Sequence, residues 1–121
     1  MVITGEITLK RARGNDLFAV AEPIRVQWET EDFTVPVGAV VNGASIPYVL
    51  RWLLPRWHHD YDLASIVHDF VVGEHGRNAS MRWEDAARLF ADIMRKQGAP
   101  EWKIKLFRFA ILKYRHVKRW L

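Results

Sequence analysis

The sequence contains no cysteine, which excludes disulfide bonds and thiolate metal sites. It contains no run of eighteen apolar residues, so we expect no membrane-spanning helix. The N-terminus "MVITGEITLK" shows no basic segment followed by an apolar one, so we also expect no secretory signal peptide. The fold must therefore be held together by an apolar core rather than by covalent cross-links.

Material for such a core is present, since 50% of the 121 residues are hydrophobic and six are Trp and six Phe. This length suits one compact domain, residues 1–121. Segments such as "EITLK" and "IRVQW" alternate in polarity like strands, whereas the period after residue 47 is close to 3.6. We predict an α+β fold, with a small N-terminal antiparallel sheet in residues 1–42 followed by three to four helices in residues 47–121.

Three helices can be placed approximately from their end signals. The first is predicted over residues 60–72, and the second over residues 80–97, with Ser80 as its N-cap. Gly98 suits the left-handed position after that helix, and Pro100 opens the third helix, predicted over residues 100–120.

Positive charge is concentrated in this last helix, because the segment after Glu101 contains no acidic residue. Its basic residues are Lys103, Lys105, Arg108, Lys113, Arg115, Lys118 and Arg119. These seven positive charges exceed the net charge of the chain, which is +4, so the remaining residues together carry a small net negative charge. Such a basic surface indicates phosphate, nucleic acid, an anionic surface or an acidic partner, and a solvated helix face is the alternative.

The same helix is amphipathic, since its apolar residues recur at steps of three or four. They are Ile104, Phe107, Ile111 and Tyr114. Packing of this stripe on the chain's own core is the first interpretation, and contact with a partner protein or with nucleic acid are the others. No phosphate-binding glycine loop or nucleic-acid module accompanies the helix, so charge alone supports nucleic-acid binding.

Candidate chemistry is densest in "RWHHDYDLASIVHDF". In a helix over residues 60–72, one side carries the apolar residues Leu63, Ile66, Val67 and Phe70. The other side carries Asp62, Ser65, His68 and Asp69, of which Asp62 and Ser65 are candidate binding residues. His68 and Asp69 are candidates for a divalent metal site or for a base and its orienting carboxylate. Adjacent helical residues diverge by about 100°, so another partner must come from elsewhere.

The loop in "VVNGASIPYVLRWLLP" offers that partner through Asn42 and Ser45, which we predict to be binding residues facing His68 and Asp69. The alternative is structural, because Asn-Gly is a common turn pair and Ser45 can cap a helix. For His58 and His59, beside a tryptophan in a predicted loop, the structural interpretation is preferred.

Three motifs resemble the phage and prophage family called domain of unknown function 1353, over residues 33–112. They are the strand and turn "FTVPVGAVVNGASIP", the helix "ASIVHDFVV" and the helix "AARLFADIMRKQGAP". The family pattern has Thr-Asp-Gly-Ala-Ser-Ile-Pro, then His-Asp, then Ala-Asp followed by an apolar pair. The matching positions are Asn42, Gly43, Ala44, Ser45, Ile46, Pro47, His68, Asp69, Ala86, Leu89, Phe90 and Met94.

The chain departs from this pattern at two positions, where Asn42 and Ala87 stand in place of the family's aspartates. Both changes remove a negative charge. Hard divalent cations favour carboxylate ligands. The two departures therefore weaken the prediction that a divalent metal cofactor binds at His68 and Asp69.

Three functions follow as expectations. The preferred one is a phage-encoded binding or structural protein, such as a virion component, with a protein partner or a homo-oligomeric state. The second is a small hydrolase that is either metal-dependent or histidine-based. In it, His68 is the base and Asp69 orients His68 or binds the metal. Asn42 and Ser45 contact the substrate. The third is a nucleic-acid-binding accessory protein acting through the basic helix. The resemblance implies a location in the host cytoplasm or the virion.

Overall fold

The chain divides into two compact units, Met1–Asn42 and Gly43–Leu121. The computed structural model describes residues 1–5, 9–11, 18–41, 54, 58–72 and 81–117. The boundary between the units falls where the sequence changes from strand-like to helical periodicity. The α+β fold is confirmed, and the assignment of residues 1–121 to one domain stays a prediction.

In its described residues, the first unit contains six short antiparallel strands in two three-stranded sheets. One sheet has the order β1-β4-β5 and consists of Val2–Thr4, Ile24–Trp28 and Glu31–Val35. The other has the order β2-β3-β6 and consists of Leu9–Arg11, Phe18–Val20 and Val40–Val41. The small antiparallel sheet that we predicted is therefore present, together with a second one whose strands are interleaved with it in the sequence.

Alternation along β4 shows why this segment forms a strand. Ile24, Val26 and Trp28 are buried, whereas Arg25 and Gln27 between them are exposed. This period of two matches the pleat of a strand with one buried face. β4 pairs with both β1 and β5, and Ile24 lies opposite the equally buried Val35. The core of this unit is therefore built on its central strand.

The second unit contains three helices in its described residues: α1 (Asp62–Val71), α2 (Trp83–Lys96) and α3 (Glu101–Val117). Gly98 follows α2 with a φ of +84°, as predicted for a left-handed residue after a helix. Ala99 N–H donates to the Met94 carbonyl oxygen at 3.0 Å, which closes the end of α2. Ser80, the predicted cap of this helix, lies outside the described residues.

The three helices pack with α2 against both α1 and α3. Phe90 of α2 stacks on Phe107 of α3 with ring centroids 5.5 Å apart, and Tyr61 before α1 lies 4.5 Å from the same Phe107 ring. The Trp83 indole N–H donates to the Ile111 carbonyl oxygen at 2.7 Å and joins the start of α2 to α3. In the described parts of the chain, no helix has the length and apolar character needed to span a bilayer.

Candidate functional site

The predicted His68 and Asp69 pair lies at the C-terminal end of α1, in packed surroundings. The His68 ring meets Trp83 and Phe90 of α2 edge-to-face, with centroids 5.3 and 5.6 Å away. Its Nε2 atom is buried, and so is the Asp69 side chain. A substrate would therefore reach this nitrogen only if the residues that bury it moved. Asn42 and Ser45 lie outside the described residues, so their convergence on this pair stays a prediction.

The other two polar residues of α1 stabilise the beginning of the helix. The buried Ser65 hydroxyl donates to the Tyr61 carbonyl oxygen at 2.8 Å. The Asp62 carboxylate accepts a short hydrogen bond from the His58 backbone N–H. Burial raises the pKa of Asp62, and the hydrogen bond from His58 opposes that shift. Both side chains thus have local structural partners, and their proposed binding role stays a prediction.

A second His–Asp group, here called the HHD cluster, lies immediately before α1 and consists of His58, His59 and Asp60. His59 Nε2 is 3.0 Å from Asp60 Oδ1, and His58 Nδ1 is 3.6 Å from Asp60 Oδ2. The two imidazole rings are 4.2 Å apart. One ligand atom from each of these three residues lies within 4.8 Å of the other two, which is close enough for all three to contact one metal ion. Within the described ranges, His68 and Asp69 belong to no such group.

Lys103 of α3 completes the HHD cluster from 43 residues away in sequence. Its Nζ donates to Asp60 Oδ2 at 2.7 Å, and both side chains are largely buried. This hydrogen bond is the main cause that lowers the pKa of Asp60, and partial burial opposes it. The carboxylate is therefore ionised at neutral pH, with one oxygen held by Lys103 and the other beside His59.

A hydrogen bond within the cluster fixes the orientation of the His58 ring. The Asp60 backbone N–H donates to His58 Nδ1 at 3.1 Å. Nδ1 is therefore the acceptor, and its single lone pair is occupied by this hydrogen bond. By contrast, the His59 side chain is 80% exposed. The HHD cluster thus combines a fixed carboxylate, one imidazole held by the Asp60 amide and one accessible imidazole.

The sequence did not predict that His58, His59 and Asp60 form one cluster. The structural interpretation of His58 and His59 stays a prediction, and Asp60 was noted only as part of a segment dense in His and Asp. The available signal was local: two histidines and a carboxylate in succession just before a helix. Lys103 carried no comparable signal, because its pairing with Asp60 depends on how α3 packs beside α1.

A separate candidate is the solvent-exposed side of α3. The predicted inner stripe is confirmed for Ile104, Phe107 and Ile111, which are buried, while the Tyr114 side chain lies outside the described residues. Trp102 and Phe109 are 55% and 61% exposed, and Leu112 is also exposed. The helix therefore has apolar residues on two sides.

Basic residues lie between these exposed apolar ones. Lys105, Arg108 and Lys113 are exposed, and Lys113 Nζ lies 5.7 Å from the Phe109 ring centroid. We call this surface the α3 outer face; its members are Trp102, Lys105, Arg108, Phe109, Leu112 and Lys113. Lys103 does not belong to it, since it pairs with Asp60. The Arg115 side chain, Lys118 and Arg119 lie outside the described residues.

The chain belongs to the family described as "Protein of unknown function (DUF1353)", whose pattern matches residues 18–111. The predicted membership of this family is thus confirmed, whereas its phage setting and the Asn-Gly-Ala-Ser-Ile-Pro and His-Asp motifs stay predictions. No solved structure matches the chain.

One relative is a longer protein that contains a segment similar to this chain. The chain is 32% identical over 98 residues to "Uncharacterized protein y4jT" of Sinorhizobium fredii (strain NBRC 101917 / NGR234). The match covers 80% of this chain and 26% of the relative. The chain therefore spans about a quarter of the length of that relative.

Proposed function

We propose that the chain is a protein-binding module that contacts an acidic surface of its partner through the α3 outer face. The observation that carries the proposal is the exposure of Trp102 and Phe109 beside three basic residues on one side of a helix. Exposed apolar patches with polar surroundings are typical of interaction sites. Aromatic residues and Arg are the side chains most enriched in protein interfaces.

The packing of the opposite side of α3 supports this proposal. Ile104, Phe107 and Ile111 already attach the helix to its own unit. Trp102 and Phe109 are therefore not required for that core. Burying an aromatic side chain in an interface would contribute about 2 kcal/mol through removal of apolar area from water. This gain gives the outer face an energetic reason to be covered by a partner.

A protein partner fits the outer face better than nucleic acid does. Trp102 and Phe109 are seven residues apart, which is about 10 Å along a helix. Bases that stack successively need closely spaced aromatic platforms along a basic groove, whereas this face is a convex helix side that also carries the aliphatic Leu112. An acidic partner would complement Lys105, Arg108 and Lys113 and would bury the apolar side chains between them.

The hydrolase hypothesis ranks second. It assigns the chemistry to His68 and Asp69, and the burial of Asp69 and of His68 Nε2 weighs against substrate access there. A binding module is also compatible with the match to a longer relative, of which the similar segment makes up about a quarter. In the phage or prophage setting that the resemblance implies, the partner would be another component of the particle.

The experiment is affinity capture from cells that naturally produce the protein, with quantitative mass spectrometry and a parallel nuclease treatment. Two variants disrupt the face: Trp102→Ser with Phe109→Ser, and Lys105→Glu with Arg108→Glu. Val37→Ser is the matched control, because Val37 is 62% exposed in the sheet unit. We expect an acidic protein that the wild type and the control retain and that both face variants lose by about tenfold or more, as when a few interface hot spots are removed.

Two outcomes would contradict the proposal. Equal retention by the wild type and both face variants would remove the outer face as the binding surface. Loss of retention after nuclease treatment would instead support the nucleic-acid hypothesis.

A further inference from the structure

We propose that the HHD cluster binds a divalent transition-metal ion of the zinc class through His58, His59 and Asp60. Neither the family description nor the relative assigns a metal site, and this proposal does not depend on the binding role of the α3 outer face. It depends on the arrangement of three ligand atoms around one small space.

The distances within the cluster are close to those between ligands of one ion. Zinc lies about 2.0–2.1 Å from imidazole nitrogen and carboxylate oxygen, so tetrahedral ligands are about 3.3 Å apart. His59 Nε2 is 3.0 Å from one Asp60 oxygen, and His58 Nδ1 is 3.6 Å from the other. All three ligand atoms lie within 4.8 Å of one another. Because the two distances end on different oxygens of Asp60, the side chains must shift to place three ligands around one ion.

The ligand types select the class of ion. Two imidazoles and one carboxylate suit zinc and its neighbours in the first transition row, whereas magnesium and calcium prefer sites made of oxygen ligands. Three protein ligands leave a fourth position for water or for an external ligand. Because His59 is mostly exposed, that fourth position would face solvent.

One contact prepares a ligand, and another must open before an ion binds. Lys103 holds Asp60 Oδ2 at 2.7 Å, which leaves Oδ1 directed toward His59, and such partners of metal ligands commonly fix ligand orientation. The Asp60 backbone N–H donates to His58 Nδ1, so His58 must give up this hydrogen bond when Nδ1 binds an ion. The positive charge of Lys103 also opposes a dication, so we expect weaker binding than at a closed structural zinc site.

The test is titration of the purified chain with CoCl₂ and with ZnCl₂, using visible absorption for cobalt and calorimetry for zinc. We expect saturable 1:1 binding and a cobalt spectrum of tetrahedral type. His59→Ala removes one ligand and should weaken binding by at least about tenfold, the lower end of the effect of losing even an outer partner of a ligand. His75→Ala and His116→Ala are the matched controls at other histidines of the chain and should bind like the wild type.

Stability measurements separate loss of the site from loss of the fold. Because the His59 side chain is mostly exposed, His59→Ala should unfold at the wild-type temperature without metal. Excess zinc should raise that temperature in the wild type and much less in His59→Ala, since an ion that binds only the folded state stabilises it. Absence of saturable binding, or equal affinity in His59→Ala, would overturn the proposal. The proposal would also be overturned if a control variant lost binding while His59→Ala kept it.

Discussion

The two His–Asp groups at the ends of α1 contain the same residue types in opposite surroundings. His68 and Asp69, at the C-terminal end, lie in packed surroundings, with His68 between Trp83 and Phe90. The HHD cluster precedes the N-terminal end, where His59 is open to solvent and Asp60 is tied to Lys103. The predicted His68 and Asp69 site thus lies at the packed end, and the exposed imidazole of His59 lies at the other.

This difference implies that His68 contributes mainly to packing, whereas His59 is accessible from solvent. Imidazole in an aromatic environment contributes edge-to-face contacts and packing volume. The His59 imidazole, beside the fixed carboxylate of Asp60, is exposed and can be reached by an ion from solvent. The comparison predicts large stability effects for changes at His68 and small ones for changes at His59.

Substitution of His68 should produce the largest effect. His68→Ala removes two edge-to-face ring contacts and leaves a cavity between α1 and α2. We expect a loss of about 2–3 kcal/mol in the free energy of unfolding, from the aromatic contacts and the lost packing volume. Urea unfolding followed by circular dichroism measures this value. His59→Ala is the matched control and should leave the midpoint unchanged; a His68→Ala midpoint equal to that of the control would remove the distinction between the two groups.

The Lys103–Asp60 pair should produce an intermediate effect. It joins the segment before α1 to α3 at 2.7 Å in a largely buried position. Lys103→Met and Asp60→Asn each leave the other partner without its main contact. We expect a coupling energy of about 1 kcal/mol from a double-mutant cycle in urea, nearer to a surface pair than to a fully buried one, since solvent screens part of the interaction.

The exposed Arg25–Asp32 pair across β4 and β5 is the matched control for that cycle. Its two charges lie at the surface, so its coupling energy should be smaller than that of Lys103 and Asp60. A coupling energy for Lys103 and Asp60 no larger than that of the control pair would mean that Asp60 gains no special stabilisation from its position.

Local patterns were sufficient to predict the elements but not the environment of their polar side chains. The period of 3.6 placed α1 close to its observed bounds, and Gly98 marked the end of α2. The same pattern assigned Ser65 and Asp69 to a polar side, yet both are buried in the structure. Periodicity identifies which residues share a face, while burial depends on what packs against that face.

The two sides of α3 illustrate the same limit. The stripe of Ile104, Phe107 and Ile111 was recognisable from spacing alone, because one apolar side is enough to attach a helix. The pairing of Lys103 with Asp60 depends on tertiary packing, so sequence placed Lys103 on the basic surface instead. The exposure of Trp102 likewise required coordinates, since Trp is common in both cores and interfaces.

Acid should produce the smallest effect, and it tests the HHD end of the comparison. The pKa of Asp60 is lowered in the folded chain by its hydrogen bond with Lys103, whereas an unfolded aspartate has a pKa of about 3.9. The unfolded state therefore binds protons more readily, so this stabilisation is complete above about pH 5 and is lost progressively as pH falls through the unfolded and then the folded pKa. Unfolding free energies measured from pH 6 down to pH 3 should decline less steeply in Lys103→Met than in the wild type. His68→Ala leaves Lys103 and Asp60 intact, so it should keep the wild-type slope from a lower starting value. Identical slopes in the wild type and Lys103→Met would show that Lys103 does not control the charge of Asp60.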